Sequence, residues 1–126
     1  MGKATLKILL VDDDTLVRDM MAMILESEGH DLETADHGAE AWEKYCATPT
    51  VGLIISDMHM PVMNGLELIK AVRKLNKTLP LILLTGNEEP PPDLEGEAID
   101  FFLTKDENIQ ETILRAIDTI SMRRSE

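Results

Sequence analysis

The feature that most restricts the fold of this sequence is a set of short Ile, Leu and Val runs that are nearly continuous rather than alternating: LKILLV (6–11), VGLIIS (51–56) and LILL (81–84). A strand with one wet face alternates apolar and polar residues. A strand without that alternation must be covered on both faces, as in a parallel sheet held between layers of helices. Weaker runs at Leu32–Ala35 and Ile99–Leu103 bring the candidate strands to five, with the second and third strong runs read as Val51–Ser56 and Pro80–Leu84.

The segments between the runs have helical periodicity. Val17, Met20, Met21 and Ile24 recur at i, i+3, i+4 and i+7, with Gly29 placed to end that helix and Asp14 to cap or charge its start. Ala41, Trp42 and Tyr45 mark a second helix after Gly38. Leu68, Ile69, Val72 and Leu75 mark a third, and Ile109, Ile113, Ala116, Ile117 and Ile120 a last one that Asp106 is placed to cap. Strands alternating with helices build right-handed βαβ units, so the chain is expected to be one doubly wound α/β domain spanning residues 1–126.

Composition narrows the class. With 24 acidic and 12 basic side chains the formal charge is −12, which argues against this domain gripping nucleic acid directly. No run approaches the ~18 apolar residues of a membrane span, and the opening MGKATLK has no leader-like apolar stretch. Cys46, the single cysteine, has no internal disulfide partner. A soluble cytoplasmic protein is expected.

In doubly wound sheets, ligands and chemistry collect at the carboxyl ends of the strands. Here the first strand runs into Asp12-Asp13-Asp14, the third into Asp57, the fourth into Thr85, and the fifth is followed by Lys105. Taken singly, each has a plain structural reading: Asp suits turns and helix caps, Thr suits strand ends, and Lys suits solvent. Taken together, they are carboxylates, a hydroxyl and an ammonium in one crevice. Clustered carboxylates repel and persist only beside a proton or cation. Oxygen-only ligands with room for water favour Mg²⁺, and a carboxylate facing such an ion is a candidate nucleophile towards phosphorus.

These residues also carry a family resemblance that extends over essentially the whole chain. ILLVDDD, LIISDMHMPVMNGLELI, LILLTG and DFFLTK resemble the motifs of the receiver domain of two-component response regulators. The resemblance implies a flavodoxin-like (βα)5 fold with strand order 2-1-3-4-5. It implies that Asp57 accepts a phosphoryl group from a histidine kinase, a phosphotransfer protein or a small donor such as acetyl phosphate. Asp13 and Asp57 would ligate Mg²⁺, with the backbone carbonyl of His59 completing the protein ligands and Asp12 acting through water. Lys105 and Thr85 would meet the phosphoryl oxygens, and Thr85 with Phe102 would form the switch that changes the surface around the last two strands. The side chains of His59 and Asn87 would tune phosphoryl lifetime. His30 and His37 have no partner pattern and are expected in turns or at the surface.

The resemblance further implies a regulatory domain that catalyses only its own phosphorylation and dephosphorylation. It would act on a downstream target or effector domain, as a monomer or a weak phosphorylation-dependent dimer.

Two departures stand out. The proline that usually follows the family's lysine is replaced by Asp106, and a trans bond is expected there because a cis non-proline bond costs about 3 kcal/mol. Where the family has its fourth helix, residues 86–98 read GNEEPPPDLEGEA. Glu89, Pro90 and Pro91 each precede a proline and are pushed towards extended backbone, so that helix is expected to be shortened or irregular.

Three other functions share parts of the pattern. An aspartate-based Mg²⁺ phosphohydrolase commonly has an acid two residues after the nucleophile, where this chain has His59. A flavodoxin-type cofactor binder needs a phosphate loop where this chain has Asp12-Asp13-Asp14. A receiver-like scaffold without phosphorylation has no need of the complete set Asp12, Asp13, Asp57, Thr85 and Lys105.

Overall fold

The structure, a computed structural model, describes residues 5–48, 50–60, 63–86 and 99–125, the last three by backbone alone. Asn87, the PPP segment and Pro61 of the turn after Asp57 lie outside the described residues. The elements run β1 (Lys7–Val11), α1 (Thr15–Ser27), β2 (Asp31–Ala35), α2 (Gly38–Ala47), β3 (Leu53–Asp57), α3 (Gly65–Leu75), β4 (Leu81–Thr85), β5 (Phe101–Thr104) and α4 (Ile109–Ser125). All strand pairings are parallel, in the order β2-β1-β3-β4-β5.

The continuous apolar runs have a direct structural cause. Along β1, Ile8 and Leu10 face one core with Met21, Leu25, Ile113 and Ile117 of α1 and α4. Their neighbours Leu9 and Val11 face a second core with Ala41, Tyr45, Leu68 and Val72 of α2 and α3. β3 and β4 divide in the same way: Leu53, Ile55, Ile82 and Leu84 go to the first core, Ile54, Leu81 and Leu83 to the second. Each such Leu or Ile contributes about 1.5–3 kcal/mol by leaving water, which is why neither face of the central strands tolerates polar alternation.

Local signals set most element ends. The Asp14 carboxylate caps α1 by accepting the Val17 N–H at 3.2 Å. Asn64 and Glu67 form a reciprocal capping box at the start of α3, with bonds of 2.8 and 3.0 Å. Gly29 has φ +92, the left-handed conformation that ends α1.

The structure differs from the sequence expectations in several places. Val17 and Met21 of the expected α1 stripe do pack over the first core, but Leu25 joins them there and Met20 is 43% exposed. Neither His30 nor His37 is a bystander. Buried His30 accepts the Leu6 N–H through Nδ1 at 3.1 Å, and His37 caps α2 by accepting the Glu40 N–H at 3.2 Å. Asp106 sits one turn ahead of α4 rather than at its start: its carboxylate accepts the Asn108 N–H at 2.9 Å and its carbonyl the Ile109 N–H at 3.1 Å. No cis peptide bond occurs among the described residues, as expected between Lys105 and Asp106. No helix among them is long and apolar enough to cross a membrane.

Candidate functional site

β1 and β3 are neighbours, with Val11 opposite Ser56, so the residues just after β1 and at the end of β3 meet at one edge of the sheet. Asp12 is fully buried there. Its Oδ1 accepts the Asp14 N–H at 2.9 Å and its Oδ2 accepts Lys105 Nζ at 3.0 Å. Asp57, the last residue of β3, is 6% exposed, whereas Asp13 is exposed. One carboxylate oxygen from each of Asp12, Asp13 and Asp57 lies within 4.8 Å of the other two.

Lys105 is aimed into this cluster from the far side. Its backbone N–H donates to the Thr85 carbonyl at 2.7 Å, which extends the β4–β5 pairing past the end of β5. Its ammonium lies 3.4 Å from Asp57 Oδ2 and is mostly shielded from water. Thr85 is fully buried at the end of β4.

The electrostatics follow from this packing. Burial, with the neighbouring negative charge of Asp12 second, pushes the Asp57 carboxyl from its ordinary 3.8 up to about 6, with Lys105 pulling the other way. Burial alone would pull Lys105 down, but its bond to Asp12 and the charges of Asp12 and Asp57 outweigh this and hold it above its ordinary value. Three carboxylates facing one ammonium leave excess negative charge, and the donors are all hard oxygens. That donor set fits a small divalent cation such as Mg²⁺.

Asp12, Asp13, Asp57 and Lys105 are thus gathered in one crevice, with Thr85 joined to it through Lys105. His59 stands exposed two residues beyond Asp57. Phe102 is half-buried, opposite Leu83 in the β4–β5 register and packed on the core beneath α2 and α3.

Two supporting residues, Arg18 and Ser56, were not singled out from sequence, and a third, Gly65, was expected only as part of the Asn64-Gly65 turn into the third helix. Arg18 reaches from α1 to the Asp12 carbonyl at 3.2 Å and to the Asp36 carboxylate, tying the loop after β1 to the loop after β2. Its partners are six and eighteen residues away, a spacing with no local signature. The buried Ser56 hydroxyl donates to the Asp57 carbonyl at 2.9 Å. Gly65 packs so closely that a Cβ there would lie 2.5 Å from the Asp57 carbonyl oxygen and 2.8 Å from Leu83 Cδ1. The Asn64-Gly65 pair was the available signal for that approach.

Fold and crevice together define a flavodoxin-like α/β protein whose chemistry is that of carboxylates at the ends of its central strands. The chain belongs to the response regulator receiver domain family, whose model matches residues 8–117. Members of this family are phospho-acceptor switches of two-component signalling.

Among similar proteins is the transcriptional regulatory protein CpxR homolog of Haemophilus influenzae, 37% identical over 111 residues. That match takes in 86% of this chain and 48% of the relative, so the chain spans about half of that relative's length. The chemotaxis protein CheY1 of Helicobacter pylori is 42% identical over 83 residues, 64% of this chain and 67% of that protein. The solved structure of Vibrio cholerae chemotaxis protein CheY4 superposes with a TM-score of 0.81 at 35% identity, covering 93% of this chain and 99% of that one.

Proposed function

We propose that residues 1–126 act as a receiver domain in which Asp57 is the phospho-acceptor, drawing its phosphoryl group from a kinase phosphohistidine, a phosphotransfer protein or a small donor such as acetyl phosphate. The observation that carries this reading is the convergence of three carboxylates and Lys105 at the carboxyl end of the sheet. An Asp57 carboxylate oxygen attacks phosphorus as the donor's P–N or P–O bond breaks, and the leaving group departs opposite the incoming oxygen. Asp13, Asp57 and the His59 carbonyl would hold Mg²⁺, with Asp12 acting through water. The bound ion supplies the positive charge that lets an anionic donor approach an anionic crevice.

Lys105 is held by Asp12 beside Asp57, ready to meet a phosphoryl oxygen without travelling far. Phosphorylation adds roughly −1.5 to −2 charge at Asp57. The Lys105 ammonium and the Thr85 hydroxyl answer that charge, and Phe102, on the strand that leads into Lys105, follows the vacated space. The altered surface around β4 and β5 then selects a downstream target or effector domain. His59 and Asn87 set phosphoryl lifetime through the access they allow water. The setting is the cytoplasm and the role is regulatory: a monomer or weak phosphorylation-dependent dimer, without direct contact to nucleic acid.

Stoichiometry separates this switch from a phosphohydrolase. With Mg²⁺ and p-nitrophenyl phosphate, a phosphohydrolase releases many equivalents of phosphate in minutes. The proposed switch releases none beyond the slow decay of its own acyl phosphate. Sustained turnover lost in Asp57→Asn would overturn the regulatory reading.

A further inference from the structure

The chain is strongly acidic, yet residues 70–77 (KAVRKLNK) hold four of its 12 basic side chains and no acid. Lys70, Arg73, Lys74 and Lys77 line an open cavity of about 410 Å³ at the C-terminal end of α3. Next to it, and sharing Lys74, lies a largely apolar groove of about 270 Å³ between α2 and α3, lined also by Trp42, Met63, Ala71 and Leu75. Leu75 is 65% exposed, unusual for a large apolar residue at the end of an otherwise well-buried stripe.

Helix-dipole complementation accounts for part of this charge, since Arg73 and Lys74 occupy the last turn of α3. Arg73 is buried and donates to the Asn76 carbonyl at 3.1 Å, as a helix-end residue would. Lys77 also serves the helix end, its ammonium donating to the Arg73 carbonyl at 3.2 Å, but this leaves unexplained Lys70 a turn earlier and the exposed Leu75 beside them.

We propose that this face of α2 and α3 docks an acidic amphipathic helix of a partner protein, its apolar stripe in the Trp42–Leu75 groove and its carboxylates on Lys70, Lys74 and Lys77. Charge complementarity chooses the occupant. A cationic, apolar-floored site on a chain of charge −12 repels polyanions at long range and keeps a short-range preference for a helix that is both acidic and apolar. The apolar floor favours such a helix over nucleic acid. None of its lining residues is among those of the Asp57 crevice.

Trp42 is the single tryptophan, so its emission reports on the groove directly. The probe is a synthetic peptide of Leu and Glu with Leu at i, i+3, i+4 and i+7, titrated against the intact chain. The controls are a scrambled peptide of the same composition and a single-stranded DNA oligonucleotide. A saturable change in Trp42 emission is expected, weakened roughly tenfold or more by Lys70→Glu with Lys74→Glu and progressively by salt. Leu75→Ala, which keeps all four cations, should weaken it as well, while the thermal melt of either variant stays close to that of the parent.

The proposal fails if the peptide gives no saturable response, or if the scrambled peptide responds equally. It fails also if DNA binds more tightly and loses binding in the same variants, which would make the surface a nucleic-acid site. Sedimentation showing self-association that Lys70→Glu with Lys74→Glu abolishes would assign the surface to a second copy and overturn it too.

Discussion

Lys105 is bonded to the fully buried Asp12 at 3.0 Å, and only then, at 3.4 Å, to the proposed phospho-acceptor Asp57. Its first structural duty is therefore to give the buried Asp12 carboxylate a charged partner. Lys105→Met should destabilise the metal-free chain by about 1–2 kcal/mol in urea unfolding, less than the roughly 3–5 kcal/mol of breaking a fully buried pair because the lysine is partly exposed. Millimolar Mg²⁺ should recover part of the loss by supplying the missing positive charge.

Asp57 makes metal-free stability depend on pH. Folded, its carboxyl titrates at about 6; unfolded, it returns to its ordinary 3.8, so the folded chain binds the extra proton between those values. For this group the sign is that of a raised acid: its contribution falls as pH climbs from about 4 to about 6 and stays low above that. Asp57→Asn removes the ionised carboxylate and should stabilise the chain at pH 8, by roughly 1 kcal/mol, and much less at pH 4.5. Urea melts of both proteins at the two pH values check this; an equal gain at both would rule out titration of Asp57 as the cause.

Cation binding should relieve the same repulsion. At ten times its dissociation constant, Mg²⁺ should stabilise the folded chain by about 1.4 kcal/mol if it binds only the folded form. The shift in thermal midpoint should shrink in Asp13→Asn and Asp57→Asn. It should also shrink below pH 6, where protons compete for the Asp57 carboxylate.

Gly65 is required by close approach rather than by an unusual backbone angle. Gly65→Ala would press a Cβ against the Asp57 carbonyl oxygen and Leu83 Cδ1, so the end of β3 or the start of α3 must shift. The expected cost is about 2–3 kcal/mol by denaturant unfolding. Because the displaced atoms belong to Asp57, Mg²⁺ affinity should fall as well, which a purely remote packing defect would not cause.

The fold was legible because the strongest apolar runs lack alternation, and the two cores show why: Ile8 and Leu9 point to opposite faces, and both faces are covered. The site was legible because Asp12, Asp13, Asp57, Thr85 and Lys105 each follow or end a strand, and the topology alone brings strand ends together. What could not be read depends on side chains meeting across space. His30 holding the Leu6 N–H and Arg18 bridging Asp12 to Asp36 leave no periodic trace in the chain. The α1 stripe was read to include Met20 because apolar residues occupy much of that helix, and only the crossing of α1 over the first core chooses Leu25 beside Met21.

Asp57 is the residue proposed to be phosphorylated. Intact-mass spectrometry after incubation with acetyl phosphate and Mg²⁺ tests it most directly. A gain of one phosphoryl group per chain is expected, disappearing with EDTA and in Asp57→Asn, while the mass of the untreated chain is unchanged. Persistence of the adduct in Asp57→Asn, or no adduct in the parent chain with any donor, would contradict it.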